Sequence, residues 1–348
     1  MELVDFKKNI DYKKLKKIAD CIVEGGLVVF PTETVYGIGA NALNENAVSN
    51  IFKAKGRPND NPLIVHISDM EMLSKIVENV NGIEKKLIDN FWPGPLTIIF
   101  PKKDVLPENV TCGLDTVGVR MPKNEIALKL IEFAKTPIAA PSANQSGKPS
   151  GTKISDIYDE LNEKVDYMID GSTSNIGVES TVVKVIDGEV LILRPGKISL
   201  NDIEQIGLKV NLDKHLFSEV LDDEIVESPG MKHRHYAPTT KTLLIDCTEN
   251  TQVKEKVLEI INENKSKKIA VISYDENKSF YDNLNVEFFS LGKINDLNSI
   301  SKNIFLTLRK IDKLNVDFCI IQGVTKKGIG LAIMNRLIRA CEHNVIKL

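Results

Sequence analysis

Residues 27–67 read LVVFPTETVYGIGANALNENAVSNIFKAKGRPNDNPLIVHI, and the rest of the chain is organised around this stretch. Leu27-Val28-Val29-Phe30 is a continuous apolar run of strand length. It breaks into the polar loop Pro31-Thr32-Glu33-Thr34-Val35-Tyr36-Gly37. Ala47, Val48, Ile51 and Phe52 then recur at helical spacing. The helix is predicted to stop at Gly56, a residue suited to the left-handed C′ position, and Pro58 blocks continuation. Leu63-Ile64-Val65-His66-Ile67 is a second strand. Two threonines, Lys55, Arg57 and His66 therefore fall at element ends, where a rigid scaffold presents functional groups. Each also has a plain structural role. Basic residues complement a helix C-terminus, and threonines after a strand cap turns.

The arginines favour function. Lys and Arg together number 45, yet only seven are Arg. Four of these, Arg57, Arg120, Arg194 and Arg234, stand in short stretches punctuated by Gly or Pro. Arginine offers a planar fork that matches carboxylate or phosphate, which lysine does not. The pattern points to anion binding, with ordinary surface ion pairs as the alternative at any one site.

A chain of 348 residues predicts two domains. A net charge of −3 gives no support for a protein that coats nucleic acid over its whole surface, so RNA contact would need a local patch. The five cysteines are scattered and form no CxxC pair. Neither a zinc site nor a disulfide framework is expected, and a reducing cytoplasm fits. The start, MELVDFKKNIDYKKLKK, has no apolar core of a signal peptide. No apolar run approaches the ~18 residues of a membrane span.

In chain order, residues 11–24, Asp69–Val80 and Glu84–Phe91 are predicted helices. Trp92-Pro93-Gly94-Pro95 is a rigid turn before the strand Leu96–Phe100, and the single Trp is expected to pack. In TCGLDTVGVRMP, Thr116, Gly118 and Arg120 share one strand face and Val117, Val119 and Met121 the other. A helix Glu125–Ala134 and a short strand to Ala140 lead to PSANQSGKPSGT. Backbone amides and small hydroxyls in such a loop can approach phosphate closely, although a plain surface loop has the same composition. The loop is neither a P-loop nor a nucleophile elbow. A helix and a strand occupy residues 155–170. Strands Val182–Ile186 and Val190–Leu193 flank the turn Asp187-Gly188, and Arg194-Pro195-Gly196 follows. Residues 1–210 thus read as an α+β or mixed α/β domain.

Residues 211–239 read as a linker whose SPGMKHRHYAP segment is stiff and extended. It can lie over a ligand or act as a spacer. His233 and His235 lack the further partners of a metal site. From Thr240 to Leu348, Val- and Ile-rich strands alternate with helices, which predicts a small doubly wound parallel sheet. The loop Gly323–Gly330 enters a helix without matching a dinucleotide fingerprint.

PTETVYGIG, KAKGRPNDNPLIVHI, WPGPLTIIF, GLDTVGVRMP, PIAAPSANQSGKPSGT, GVESTVV, LRPG and SPGMKHRHYAP together resemble, in order, the L-threonylcarbamoyladenylate synthase family in its long form. The resemblance is dense over about the first 240 residues and looser after them. It implies α/β architecture: a YrdC-like mixed α+β catalytic domain, a linker that covers the active site, and a smaller Rossmann-like domain. The implied reaction joins L-threonine, bicarbonate and ATP into threonylcarbamoyl-AMP and pyrophosphate. A separate transferase complex would consume the product to modify tRNA. The resemblance leaves direct tRNA contact by this chain open and implies no membrane partner.

By residue, the resemblance implies that Thr32, His66, Arg120 and Ser180 hold threonine, with Arg120 on its carboxylate. Lys55 and Arg57 would face the phosphates and the carbamate as the catalytic pair. ATP would be held by Lys55, Asn59, Thr116, Ala140, Ser142, Ser150 and Arg194, with Tyr236 closing over it. Mg2+ would arrive with the triphosphate, without a dedicated protein cage. Two other readings stand beside this one: an RNA-binding module without catalysis, and a carbamoyl transferase. The latter family usually carries zinc-finger segments, and the CxxC pairs of such segments are not found in this sequence.

Overall fold

Asp11 starts the first helix, Tyr12–Val23, by accepting the amides of Lys13 and Lys14 at 2.9 and 3.0 Å. Its apolar stripe, Leu15, Ile18, Ala19 and Ile22, is buried. The predicted helix of the opening stretch spans Glu45–Lys55 and is capped by Asn44. It ends at Gly56, whose φ of 61° is left-handed and whose N–H reaches the Phe52 and Lys53 carbonyls. The computed structural model describes residues 1–217, 227–229 and 235–348. The predicted roles of His233 and Arg234 fall outside these. The chain folds into two compact units. The first is Met1–Ser146 with Ser150–His233, and the second is Gly147–Pro149 with Arg234–Leu348.

An eleven-stranded mixed sheet forms the first unit. Across it the order is Glu2–Asp5, Tyr167–Asp170, Val28–Phe30, Gly37–Asn41, Ile138–Ala139, Ile64–His66, Thr116–Arg120, Leu96–Pro101, Thr181–Ile186, Glu189–Arg194 and Val210–Leu212. Strand Gly37–Asn41 was not anticipated, because GIGAN has little β propensity. Its pairing explains it. It runs antiparallel to Val28–Phe30, with Val29 opposite Ile38. Gly39 must be glycine here, since a Cβ would stand 2.6 Å from Phe30 Cε1 and 2.7 Å from Ile138 Cγ2. The helix expected over Asp69–Val80 is shorter, Met70–Ile76, and Val77 returns to extended backbone.

The sheet has two faces of different character, as period-2 alternation requires. Val65, Val117, Val119, Ile98, Phe100 and Val183 enter the main apolar core, which also holds the buried helix faces. On the opposite side Ile99, Val182 and Leu193 form a small separate cluster. His66, Gly118, Arg120 and Thr97 lie on that second face by register.

The second unit holds a five-stranded, all-parallel sheet: Glu287–Ser290, Ile269–Ser273, Phe318–Gln322, Lys241–Asp246 and Val345–Lys347. Helices Asn250–Glu263, Leu297–Ile311 and Gly330–Ala340 connect its strands. The doubly wound expectation is met, with one strand, Val345–Lys347, beyond those anticipated. Among the described residues no helix is long and apolar enough to cross a membrane.

Candidate active site

The loop after Val28–Phe30 folds back on itself. Thr32 Oγ1 donates to the Val35 carbonyl at 2.6 Å and lies 2.8 Å from Thr34 Oγ1. Tyr36 acts as a pillar. Its hydroxyl donates to the Ser172 carbonyl at 2.7 Å and accepts the Gly171 amide at 3.1 Å. Its backbone ties to Gly151 and Ala143. The threonine loop and the small-residue loop Pro141–Thr152 are thereby pinned to one residue.

Arg120 ends the strand Thr116–Arg120 and is only 3 % exposed. Its Nη1 donates to Thr34 Oγ1 at 2.9 Å, its Nε to the Gly94 carbonyl at 3.2 Å, and its Nη2 lies 2.6 Å from Glu33 Oε1. His66 is its register partner on the neighbouring strand. Burial, and then the Arg120 charge, push the imidazole down to about 3 from its ordinary 6.5. His66 is therefore a neutral ring, and its Nδ1 is buried without a hydrogen bond of ordinary geometry. Gly118, two residues before Arg120, pairs with Ile64 and Ile99 on the neighbouring strands. A Cβ there would sit 3.2 Å from both Ile99 Cδ1 and Thr97 Cγ2.

Ser180 and Arg194 form a second node. The Arg194 Nε and Nη2 donate to the Ser180 carbonyl at 3.2 and 3.1 Å, and Nη2 also reaches Ser180 Oγ at 3.1 Å. Thr97 Oγ1 lies 2.8 Å from that same hydroxyl. Gly196 makes the approach possible, because a Cβ there would be 2.3 Å from the Thr181 nitrogen. Arg194 Nη1 also donates to the Pro229 carbonyl at 3.1 Å. Beside it, Glu227 accepts from Lys184 Nζ at 2.6 and 2.8 Å and from Thr116 Oγ1 at 3.1 Å.

Lys55 and Arg57 are buried, 1 % and 8 % exposed. The Lys55 ammonium donates to the Ser142 and Asn144 carbonyls at 2.5 Å each. Arg57 donates to the Asn61 carbonyl at 3.3 and 3.1 Å and to the Pro62 carbonyl at 3.3 Å. Both cations thus hold loop carbonyls as well as offering charge. Ser142 Oγ donates to Asn144 Oδ1 at 2.6 Å, Ser150 Oγ to Glu179 Oε1 at 2.5 Å, and the Ala140 amide to the Ile64 carbonyl at 2.9 Å.

The structure joins Thr32 to Arg120 through Thr34, sets His66 opposite Arg120 in register, and pairs Ser180 with Arg194 and Lys55 with Ser142. Thr116 stands at the far end of the Arg120 strand and Asn59 is an exposed loop residue. Tyr236 belongs to the second unit, where its ring stacks on Phe305 with centroids 5.4 Å apart. Sequence reading marked Thr34 with Thr32 but missed Glu33, Thr97, Asn144, Glu179, Lys184 and Glu227. Of these, Glu33 carried a signal, a carboxylate between the two marked threonines in the loop after an apolar strand. No group of three or more His, Cys, Asp or Glu able to hold a metal occurs among the described residues.

Buried guanidinium and ammonium groups held by loop carbonyls and flanked by hydroxyls define a class: an α/β protein whose fixed positive charges are of the kind that suits anionic or carbonyl-bearing molecules. Comparison with known proteins narrows this. The family described as telomere recombination matches residues 20–196, and the threonylcarbamoyl-AMP synthase C-terminal domain matches residues 198–341. The chain is 43% identical over 351 residues to the threonylcarbamoyl-AMP synthase of Pyrococcus abyssi, with 99% of each covered. It is 40% identical over 337 residues to that of Bacillus subtilis, covering 96% of this chain and 94% of the relative. The crystal structure of P. abyssi Sua5 complexed with L-threonine superposes with a TM-score of 0.92 at 42% identity, covering 100% of both chains. Escherichia coli YciO shares the fold over 58% of this chain, at a TM-score of 0.52 and 23% identity. This chain belongs to the threonylcarbamoyl-AMP synthase family.

Proposed function

We propose that this chain makes L-threonylcarbamoyl-AMP and pyrophosphate from L-threonine, bicarbonate and ATP. The observation that carries the reading is the buried Arg120 beside the Thr32–Thr34 hydroxyl pair, in a chain aligned end to end with synthases of that name. Arg120 takes the threonine carboxylate in competition with Glu33, and Thr32, His66 and Ser180 orient the rest of the molecule. A neutral His66 suits this role, because it adds no second positive charge beside the guanidinium.

The threonine amine condenses with bicarbonate to a carbamate, releasing water. A carbamate oxygen attacks the α-phosphorus, and the Pα–O bond to pyrophosphate breaks. Lys55 and Arg57 neutralise the charge that develops, and positioning supplies most of the remaining catalysis. Asn59, Thr116, Ala140, Ser142, Ser150 and Arg194 hold the nucleotide, and Tyr236 closes over it. Magnesium enters as MgATP, bound mainly by phosphate oxygens and water. The product passes to a tRNA threonylcarbamoyl transferase complex, and the work is done in the cytoplasm.

The test is pyrophosphate release by the purified chain, with threonine and bicarbonate omitted in turn. Release that requires both is expected. Release that needs neither would overturn the reading in favour of plain ATP hydrolysis. No release in any mixture, together with steeply salt-dependent RNA affinity, would favour a binding module.

A further inference from the structure

Glu33 is buried, 9 % exposed, yet among the described residues neither of its carboxylate oxygens accepts a hydrogen bond of ordinary geometry. Arg120 Nη2 faces it as a charge, 2.6 Å from Oε1, and that nitrogen makes no hydrogen bond of ordinary geometry either. The rest of the guanidinium is committed, Nε to the Gly94 carbonyl and Nη1 to Thr34 Oγ1. An ionised carboxylate only accepts, and it has room for about four donors. A buried carboxylate with none of these filled suits a ligand rich in N–H groups.

The backbone beside Glu33 is held. The Ile176 amide donates to the Glu33 carbonyl at 2.9 Å and the Gly177 amide to the Thr34 carbonyl at 3.1 Å. Ser174 Oγ donates to the Thr32 carbonyl at 2.9 Å. The Glu33 side chain can therefore turn while its loop stays in place. In an α-amino acid a single carbon joins the carboxylate to the ammonium. A substrate carboxylate seated on Arg120 Nη2 thus brings its ammonium beside the oxygen that it displaces. One ion pair becomes two, and no charge is left alone. An anion without an ammonium would instead strand Glu33, and a buried charge without its partner is costly.

We propose that Glu33 selects the threonine ammonium and takes its first proton. The proposal rests on the reading that Arg120 binds the threonine carboxylate. One N–H bond of the ammonium breaks, the proton passes to a Glu33 oxygen, and the electron pair stays on nitrogen. That pair forms the N–C bond to bicarbonate, whose C–OH bond breaks. The hydroxide leaves as water with a second proton from the nitrogen, and Glu33 returns its own proton to solvent. Arg120 is the charge that faces Glu33. Glu179, in the segment that follows Gly177, accepts from Ser150, and His66, in register with Arg120, is already neutral.

The experiment is calorimetry on the full chain with L-threonine and with 2,3-dihydroxybutanoate, which carries a hydroxyl in place of the ammonium. The wild type should bind the hydroxy acid about 100-fold more weakly than threonine, or weaker still. Glu33→Gln should bind threonine about tenfold more weakly than the wild type does, and the hydroxy acid about tenfold more tightly. Glu33→Asp should keep the preference for threonine. General damage to the site would weaken both ligands and could not produce this crossing. At saturating threonine, kcat of Glu33→Gln should fall and then climb between about pH 7 and 9, where the amine loses its proton unaided. Equal affinity of the wild type for the two ligands would overturn the proposal, with no variant needed. So would an unchanged ratio in Glu33→Gln, or a kcat deficit that does not narrow as pH rises. Should Glu33→Gln not fold, the wild type and Glu33→Asp decide alone. A wild type that binds no threonine removes the threonine site itself. One that binds threonine without regard to residue 33 removes only this role of Glu33.

Discussion

Arg120 and Glu33 are both nearly buried, so neither can be changed alone without consequence. Arg120→Ala would leave a carboxylate without its charge partner, and breaking such a buried pair costs about 3–5 kcal/mol. We expect that variant to lose both threonine affinity and thermal stability. Arg120→Ala with Glu33→Gln should recover much of the melting temperature and none of the affinity. Threonine titration by calorimetry beside thermal melts checks this, and a double variant that binds threonine normally would exclude Arg120 from the carboxylate site. His66 gives a pH prediction. The unfolded chain takes up this proton near pH 6.5, whereas the folded chain resists it until about 3. Between those values the unfolded state binds more protons, so stability falls as pH falls through that window. His66→Gln should flatten this part of the denaturation profile against pH. The sequence marked Arg120 as one of few arginines, in a stretch punctuated by Gly and Pro, and the family resemblance, more than the residue itself, marked His66. It did not show Glu33 as the partner of Arg120, since residues 33 and 120 meet only through the sheet.

Turn and cap signals were legible at the level of elements because they are local. Gly56 was read as a helix stop, and it stands at φ 61° with nothing within 4 Å of a built Cβ. Gly56→Ala should therefore cost only the backbone penalty, about 1–2 kcal/mol, with no steric clash added. Urea denaturation would show it as a shifted midpoint at constant slope. A change in slope would mean that the glycine does more than end the helix. Strands Glu2–Asp5, Gly37–Asn41 and Val345–Lys347 were not legible. Each is short, and each is specified by the strand beside it. Glu2 pairs with Tyr167 and Leu244 with Val345, and no local pattern records such pairings.

Across the whole molecule, the cysteines should report on burial. All five are free. Burial pushes Cys21 and Cys112 up to about 11 and Cys341 up to about 12, and holds Cys319 well above its ordinary value. Because the thiolate is the reactive form, labelling at pH 8 should find Cys247, partly exposed after strand Lys241–Asp246, first. Cys319 and Cys341 should react only as the second unit opens, and mass spectrometry of time points would read the order. Prompt labelling of Cys319 would contradict its burial between strands.

The pairing of Glu2–Asp5 with Tyr167–Asp170 also bears on how the chain is born. The first strand leaves the ribosome long before its partner exists. At roughly 5–20 residues per second it waits on the order of ten to thirty seconds. Through that interval Val28–Phe30 also lacks Tyr167 and Met168, its partners on the strand that it shares with Glu2–Asp5. The nascent chain therefore carries an apolar, half-paired edge for much of its synthesis, as a binding site for chaperones in the cell and a route to aggregation without them.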